Sequence, residues 1–298
     1  MFIFFSDHLI ILLTYKILVE YFMKTLKLAL ATALTLPAMS VLAEEAEPSN
    51  SYSVSYNIGL FSQYIFRGYT QTHGDPALQG GVDIEHNSGF YAGAWASNVS
   101  WLDDSDAYDN GGSLEVDLYA GYASEIGDTG ISYDVGILQY LYPGEVSTGF
   151  ANANTTEVHL GLGYGWIDTA VHVVTSDDAW TWGEVSSSGA PSAKGTAYYE
   201  INANIPVDEL IDHKVLNGVT ATFHLGYQNF VGSNAVYDNN ADSYADWLIG
   251  LNKSYSNGID VGYYYTGTDV RDGNGWWVKR DGKYLGDPSH TLYVTKSF

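Results

Sequence analysis

Leu114-Glu115-Val116-Asp117-Leu118-Tyr119-Ala120-Gly121-Tyr122 alternates without a break. Leu114, Val116, Leu118, Ala120 and Tyr122 share one face, while Glu115, Asp117, Tyr119 and Gly121 share the other. Successive side chains of a strand point to opposite sides, so a period of two predicts a β-strand with one apolar and one polar face. The stretch 158–164 reads the same way, with Val158, Leu160, Leu162 and Tyr164 set against His159, Gly161 and Gly163. So does 259–265, where Ile259, Val261, Tyr263 and Tyr265 oppose Asp260, Gly262 and Tyr264.

Working outward, the pattern recurs about twelve times in runs of roughly ten residues, the length of a tilted membrane-crossing strand. The expected strands are 52–66, 77–86, 90–101, 113–124, 130–141, 155–165, 167–176, 196–205, 218–230, 244–255, 259–268 and 289–298. Their connections alternate in length. Gaps 67–76, 102–112, 142–154, 177–195, 231–243 and 269–289 are long, whereas 87–89, 125–129, Gly165-Trp166 and 256–258 are short. Long loops at one rim and tight turns at the other describe an all-β, antiparallel up-and-down transmembrane β-barrel. An even strand count then puts both ends of the chain on the short-turn side. The gap 206–218 departs from the rule, and 207–214 is read there as a short helix.

Composition agrees. Charged residues make up 16% of the 298 residues, beside 25 Tyr, 8 Trp and 32 Gly, where ordinary soluble chains carry about 25% charge. Cysteine is absent, which removes disulfides, thiolate metal sites and thiol nucleophiles. A formal charge of -23 argues against nucleic acid as a partner. The abundance of aromatic and β-branched residues argues against disorder.

The N-terminal region predicts export. Met23-Lys24-Thr25-Leu26-Lys27 is a basic start, 28–41 is apolar, and Val41-Leu42-Ala43 offers a cleavage site, the layout of a signal peptide. Residues 1–22 read as an extension from an upstream start; a membrane anchor is the alternative, though Asp7, His8, Lys16 and Glu20 interrupt it. The domain scheme is therefore extension 1–22, signal peptide 23–43 and barrel 44–298. At the other end, Thr291 to Ser297 alternates and closes on Phe298. A final strand ending in Phe resembles the signal read by the barrel-assembly machinery. Lys296 shares its lipid face, a placement that costs only about 0–1 kcal/mol near the interface.

A longer resemblance begins at Phe66-Arg67-Gly68-Tyr69-Thr70-Gln71-Thr72. It runs through Pro76-Ala77-Leu78-Gln79-Gly80-Gly81-Val82-Asp83 and Gly89-Phe90-Tyr91-Ala92-Gly93-Ala94-Trp95-Ala96-Ser97-Asn98-Val99 to Glu115-Val116-Asp117-Leu118-Tyr119-Ala120-Gly121-Tyr122. This resembles the TorF family of proteobacterial porins, densely over 52–145 and more weakly beyond. The resemblance implies an outer-membrane barrel in a Gram-negative bacterium and a porin function. It brings no catalytic residues.

With the apolar face toward lipid, the pore-lining side should carry Asp83, Glu85, Glu115, Asp117, Asp134, Glu157, Asp168, Glu200, Asp246 and Asp260. Such a lumen favours cations and repels anions. Arg67 is the one Lys or Arg between Glu44 and Lys194. It is read as an ion-pair partner of Asp83, Glu85 or a loop aspartate, or else as a constriction residue. Counting outward from a two-residue turn at Gly165-Trp166 sets His159 opposite His172 on the lumen face. That pair is polar wall, or a metal- or pH-responsive pair.

Asp103-Asp104-Ser105-Asp106-Ala107-Tyr108-Asp109 fails as a calcium loop because Tyr108 and Asp109 stand where a ligand and a glycine are required. Arg271, Lys279, Arg280 and Lys283 suit lipopolysaccharide phosphates or a hydrated loop. No Gly-x-Ser-x-Gly and no His-Glu-x-x-His occurs, so no enzyme, cofactor or metal is expected.

The leading expectation is thus a diffusion channel for small hydrophilic solutes, embedded in outer-membrane lipid, with homo-oligomerisation open. An outer-membrane enzyme and a non-conducting surface-binding barrel are the alternatives. Inward Tyr119, Tyr264 and Trp95 count toward these alternatives, because a barrel of this size has limited room.

Overall fold

The computed structural model describes residues 51–183, 191–232, 242–270 and 284–298. Twelve antiparallel strands close into one barrel. In chain order they are β1 (Tyr52–Phe61), β2 (Ala77–His86), β3 (Phe90–Asn98), β4 (Leu114–Glu125), β5 (Ile131–Leu141) and β6 (Thr155–Tyr164). There follow β7 (Ile167–Val174), β8 (Ala197–Pro206), β9 (Val219–Asn229), β10 (Tyr244–Ser254), β11 (Ile259–Thr268) and β12 (Ser289–Ser297). Each strand pairs with its sequence neighbours, and β12 returns to β1 through Asn57↔Ser297 to Phe61↔Tyr293. Phe298 extends that seam, its N–H donating to Tyr56 O at 2.9 Å. No backbone edge is left open, the condition for a sheet to sit in hydrocarbon.

The wall is built inside out relative to a soluble protein. Val54, Ile58, Leu60, Leu118, Ile137, Leu160, Ile201, Leu225, Leu251 and Val294 are exposed on the outer face. Glu115, Asp117, Glu157, Glu200 and Asp246 are buried on the inner one. An exposed apolar band that encircles a chain needs an apolar medium around it.

The expected alternation of loops holds, including the Gly165-Trp166 turn, which pairs Tyr164 with Ile167 and brings His159 opposite His172. The helix expected at 207–214 is one turn, α2 (Val207–Leu210), and a second short helix, α1 (Trp101–Asp104), follows β3. Two estimates overran by three residues or more. The first strand stops at Phe61 rather than 66, and the third at Asn98 rather than 101, because the chain leaves the wall at both places. Residues 1–50, with the expected leader, and the basic group Arg271, Lys279, Arg280 and Lys283 lie outside the described residues.

Candidate functional site

The segment between β1 and β2 bends into the barrel. Ile65–Phe66 and Tyr69–Thr70 pair as a minimal hairpin, with Phe66 opposite Tyr69. Arg67 and Gly68 form its tip, at φ 46 and 82. Positive φ at both central residues is the type I′ geometry whose twist suits a two-residue hairpin. A Cβ at position 68 would stand 2.7 Å from Asp246 Cβ and would also collide with the Thr268 methyl. The tip therefore rests directly on β10 and β11.

From that tip Arg67 crosses to the far wall. Its guanidinium donates to both oxygens of Glu157 on β6, at 2.8 and 3.0 Å, and to Gln228 Oε1 on β9 at 2.9 Å. Tyr140 donates to Glu157 at 3.0 Å, and Tyr244 donates to the Arg67 carbonyl at 3.0 Å. The Tyr198, Phe66 and Trp180 rings pack on the guanidinium at 4.3, 4.8 and 5.4 Å. A planar cation that bonds edge-on to a carboxylate and stacks face-on with aromatic rings is the particular use of arginine. Burial alone would lower the Arg67 pKa, but the Glu157 charge outweighs it and raises the value, so the group stays protonated. The expected partners Asp83, Glu85 or a loop aspartate are thus corrected to Glu157. Asp83 accepts instead from Tyr119.

Below this bolt the lumen is a chain of carboxylates with polar partners. His172 lies 2.9 Å from Glu200, and His159 lies 2.9 Å from Asp134, which also accepts from Tyr91 at 2.8 Å. His224 lies 3.0 Å from Asp246, to which Tyr198 donates at 3.0 Å. Asn202 donates to Asp168 at 2.8 Å. The His159 and His172 rings face each other at 5.6 Å, but each engages a carboxylate on its own outer side. Among the described residues no three metal-ligating side chains gather.

Accessibility rises steadily away from the bolt. Along β6 it goes from 0% at Thr155 to 1% at Glu157 and 7% at His159; along β8, from 1% at Tyr198 to 4% at Glu200 and 8% at Asn202. Glu85 and Asp260 lie nearer the short-turn rim, Glu85 exposed and Asp260 7% accessible. On these strands the lumen-facing side chains are most tightly packed under the long loops and slightly less so toward the short turns.

Glycines make room along the wall for large side chains. A Cβ at Gly93 would overlap the Tyr119 ring, its direct cross-strand partner, and one at Gly262 would overlap Tyr293. Gly121 stands in the same relation to Tyr91, and Gly136 to His159. Each large side chain thus lies flat on a neighbouring glycine instead of crossing the lumen. Tyr119 and Trp95 do point inward, as the alternation predicts, and both are buried. The glycine beneath Tyr119 is what the sequence reading lacked.

Alternation also contained residues that were passed over. His224 and Gln228 fall on the polar face of the ninth strand, and Tyr198 on that of the eighth. Nothing local marked Trp180 or Tyr140 as neighbours of Arg67.

A cavity of about 140 Å³ sits above the bolt, bordered by the hairpin of Arg67, by α1 and by the segment after β7. Trp101, Trp180, Trp182, Phe66, Phe150 and Phe230 contribute rings to it. Trp180 and Thr181 form the tip of a second inward hairpin, in which Ala179 pairs with Trp182. Their φ values are 45 and 76.

The family described as "Bacterial protein of unknown function (Gcw_chp)" matches residues 45–298, and the chain belongs to it. No curated protein matches the sequence. Among solved structures, the KdgM porin is similar at 8% identity and a TM-score of 0.44, over 82% of this chain and 98% of that one. The NanC porin is similar at 11% and 0.46, over 83% and 99%. The outer membrane protein opdK from Pseudomonas aeruginosa is similar at 11% and 0.37, over 75% and 57%.

Proposed function

We propose that this member of the Gcw_chp family is an outer-membrane porin, as the TorF resemblance implies, through which small hydrophilic solutes diffuse passively. The observation that carries this reading is the inverted wall. A closed barrel with an apolar exterior encloses a polar lumen whose large side chains are laid against glycines. A barrel built only as a scaffold gains nothing from burying this many carboxylates, each of which is costly to desolvate.

The proposed pore lining is Asp83, Glu85, Glu115, Asp117, Asp134, Glu157, His159, Asp168, His172, Glu200, Asp246 and Asp260, with Arg67 as its one arginine. Rings of one sign set ion preference, so the lumen favours cations. The hairpin at 65–70 is the constriction. Export through the leader at 23–43 and assembly through Phe298 complete the reading.

The tightly packed outer end supports a second reading, a barrel that binds at its mouth without conducting. Planar-bilayer recordings under a salt gradient separate the two. Discrete steps with a cation-biased reversal potential are expected; a folded, inserted barrel that stays silent even after Arg67→Ala would defeat the channel reading.

A further inference from the structure

Both ring nitrogens of His224, on β9, meet acceptors. Nδ1 lies 2.6 Å from Asn202 Oδ1, and Nε2 lies 3.0 Å from Asp246 Oδ1. The Asn202 amide cannot be turned round, because its Nδ2 donates to Asp168 at 2.8 Å and to Glu200 at 3.3 Å. Its oxygen is thereby fixed toward the imidazole. A neutral imidazole has one N–H and one bare nitrogen, so here it would set a lone pair against an amide oxygen or a carboxylate. Tyr198, whose hydroxyl lies 2.9 Å from Nε2, does not remove that conflict. Its one proton goes to Asp246 at 3.0 Å, and a ring that took it instead would still press a bare Nε2 on the Asp246 carboxylate. Only the doubly protonated ring donates at both ends. Glu200 Oε2, 3.6 Å from Nδ1, sets a second carboxylate beside it. His159 lacks this fork, since Asp134 faces its Nε2 while its Nδ1 is buried with no partner.

We infer that His224 is a specificity-determining residue of the channel, an imidazolium on the lumen wall that offsets Glu200 and Asp246 and so limits the preference for cations. This deepens the channel reading and rests on it. Accessibility gives the charge its role. The His224 side chain is 11% accessible, against 1% for Glu200 and 2% for Asp246. Of these three groups the imidazole is the one that lumen water reaches most. A permeating ion need not touch it, because fixed charges in a low-dielectric wall act on the bore through their field. The lining thus holds a second fixed cation beside Arg67, and the two neutralise different strands. Arg67 binds Glu157 on β6, while His224 lies between Glu200 on β8 and Asp246 on β10. A count of lumen carboxylates alone therefore overstates how strongly this barrel draws cations.

The test begins with the folded protein, its histidines labelled with nitrogen-15. The imidazole signals of His224, assigned through contacts with Asn202 and Tyr198, are expected to show both nitrogens protonated at neutral pH. This reading is made on the unaltered chain, so it stands whether or not a variant folds. In planar bilayers at low salt, His224→Gln should raise the cation-to-anion permeability ratio about fourfold. That is about twofold for each sign of ion, the effect of one charge on an ion roughly 10 Å away through water. His224→Lys keeps the charge and should return the ratio to near the parent value, which a purely structural role would not do. Heat-modifiable gel mobility establishes that both variants form the barrel. A neutral His224 ring, or an equal ratio in the parent and in folded His224→Gln, overturns the inference alone while conduction persists. A barrel that inserts and stays silent with a charged His224 refutes the channel reading instead.

Discussion

The two ends of the lumen solve opposite problems with the same side chains. Under the long loops, tyrosines and tryptophans converge on Arg67 and close the bore. Toward the short turns, tyrosines of equal size lie down on glycines. The difference is whether the cross-strand neighbour has a Cβ. A wall position opposite glycine can store a ring along the surface of the barrel, whereas Tyr140 and Tyr198, on strands opposite residues that carry side chains, and the loop rings of Phe66 and Trp180 reach toward Arg67. Residue size alone therefore says little about whether a barrel of this diameter is blocked.

Removing the bolt should break the contrast most severely. Arg67→Ala leaves Glu157 buried without its cation, a change worth about 3–5 kcal/mol. It should lower the unfolding midpoint in urea and raise single-channel conductance severalfold. Adding Glu157→Gln should restore much of the stability while the bore stays wide. If conductance in Arg67→Ala equals that of the parent, the hairpin is not the constriction.

The opposite manipulation comes next in size. Gly93→Ala forces the Tyr119 ring off the wall and should cut conductance at an overpacking cost of about 1–3 kcal/mol. Gly93→Ala with Tyr119→Phe should recover little, because the ring and not the hydroxyl does the blocking. Tyr119→Ala in the Gly93→Ala background should recover most of it. Conductance and heat-modifiable gel mobility report the two effects separately.

Much of this architecture was legible in the residues themselves. A period of two, repeated with alternating gap lengths, is sufficient for twelve strands, and one two-residue turn was enough to place His159 beside His172. The bolt was not legible, for a physical reason. Arg67 and Glu157 are 90 positions apart, and their meeting depends on a loop that turns inward. The local trace of that turn is the dipeptide Arg67-Gly68, which opens the expected loop 67–76, while Ile65 and Phe66, the first arm of the hairpin, were absorbed into an overlong first strand. The second tip lacked even this trace, since Trp180-Thr181 contradicts the preferences of its own turn.

That contradiction gives the smallest prediction. Thr181→Gly relieves the strain of a left-handed β-branched residue but adds unfolded-chain entropy that partly offsets it. A small net gain of about 1 kcal/mol is expected, read as a rise in thermal midpoint. Gly68→Ala at the first tip should do the reverse and by more, because both the conformation at φ 82 and the contact with Asp246 forbid a methyl group. Equal responses at the two tips would erase the distinction between them.

The seam between β1 and β12 has a consequence in time rather than space. Eleven of the twelve pairings join strands that follow one another along the chain, so each can form as a local hairpin. The twelfth brings Ser62 to Leu292, 230 positions away, and non-local closures of this kind are the slow steps of folding. Until Tyr56 and Phe298 exchange their backbone hydrogen bonds, every intermediate carries two raw edges able to recruit a foreign strand. The slowest and most hazardous moment in this protein's life is therefore its last, and an escort that shields the edge of β1 until β12 arrives would change its yield more than any substitution in the wall.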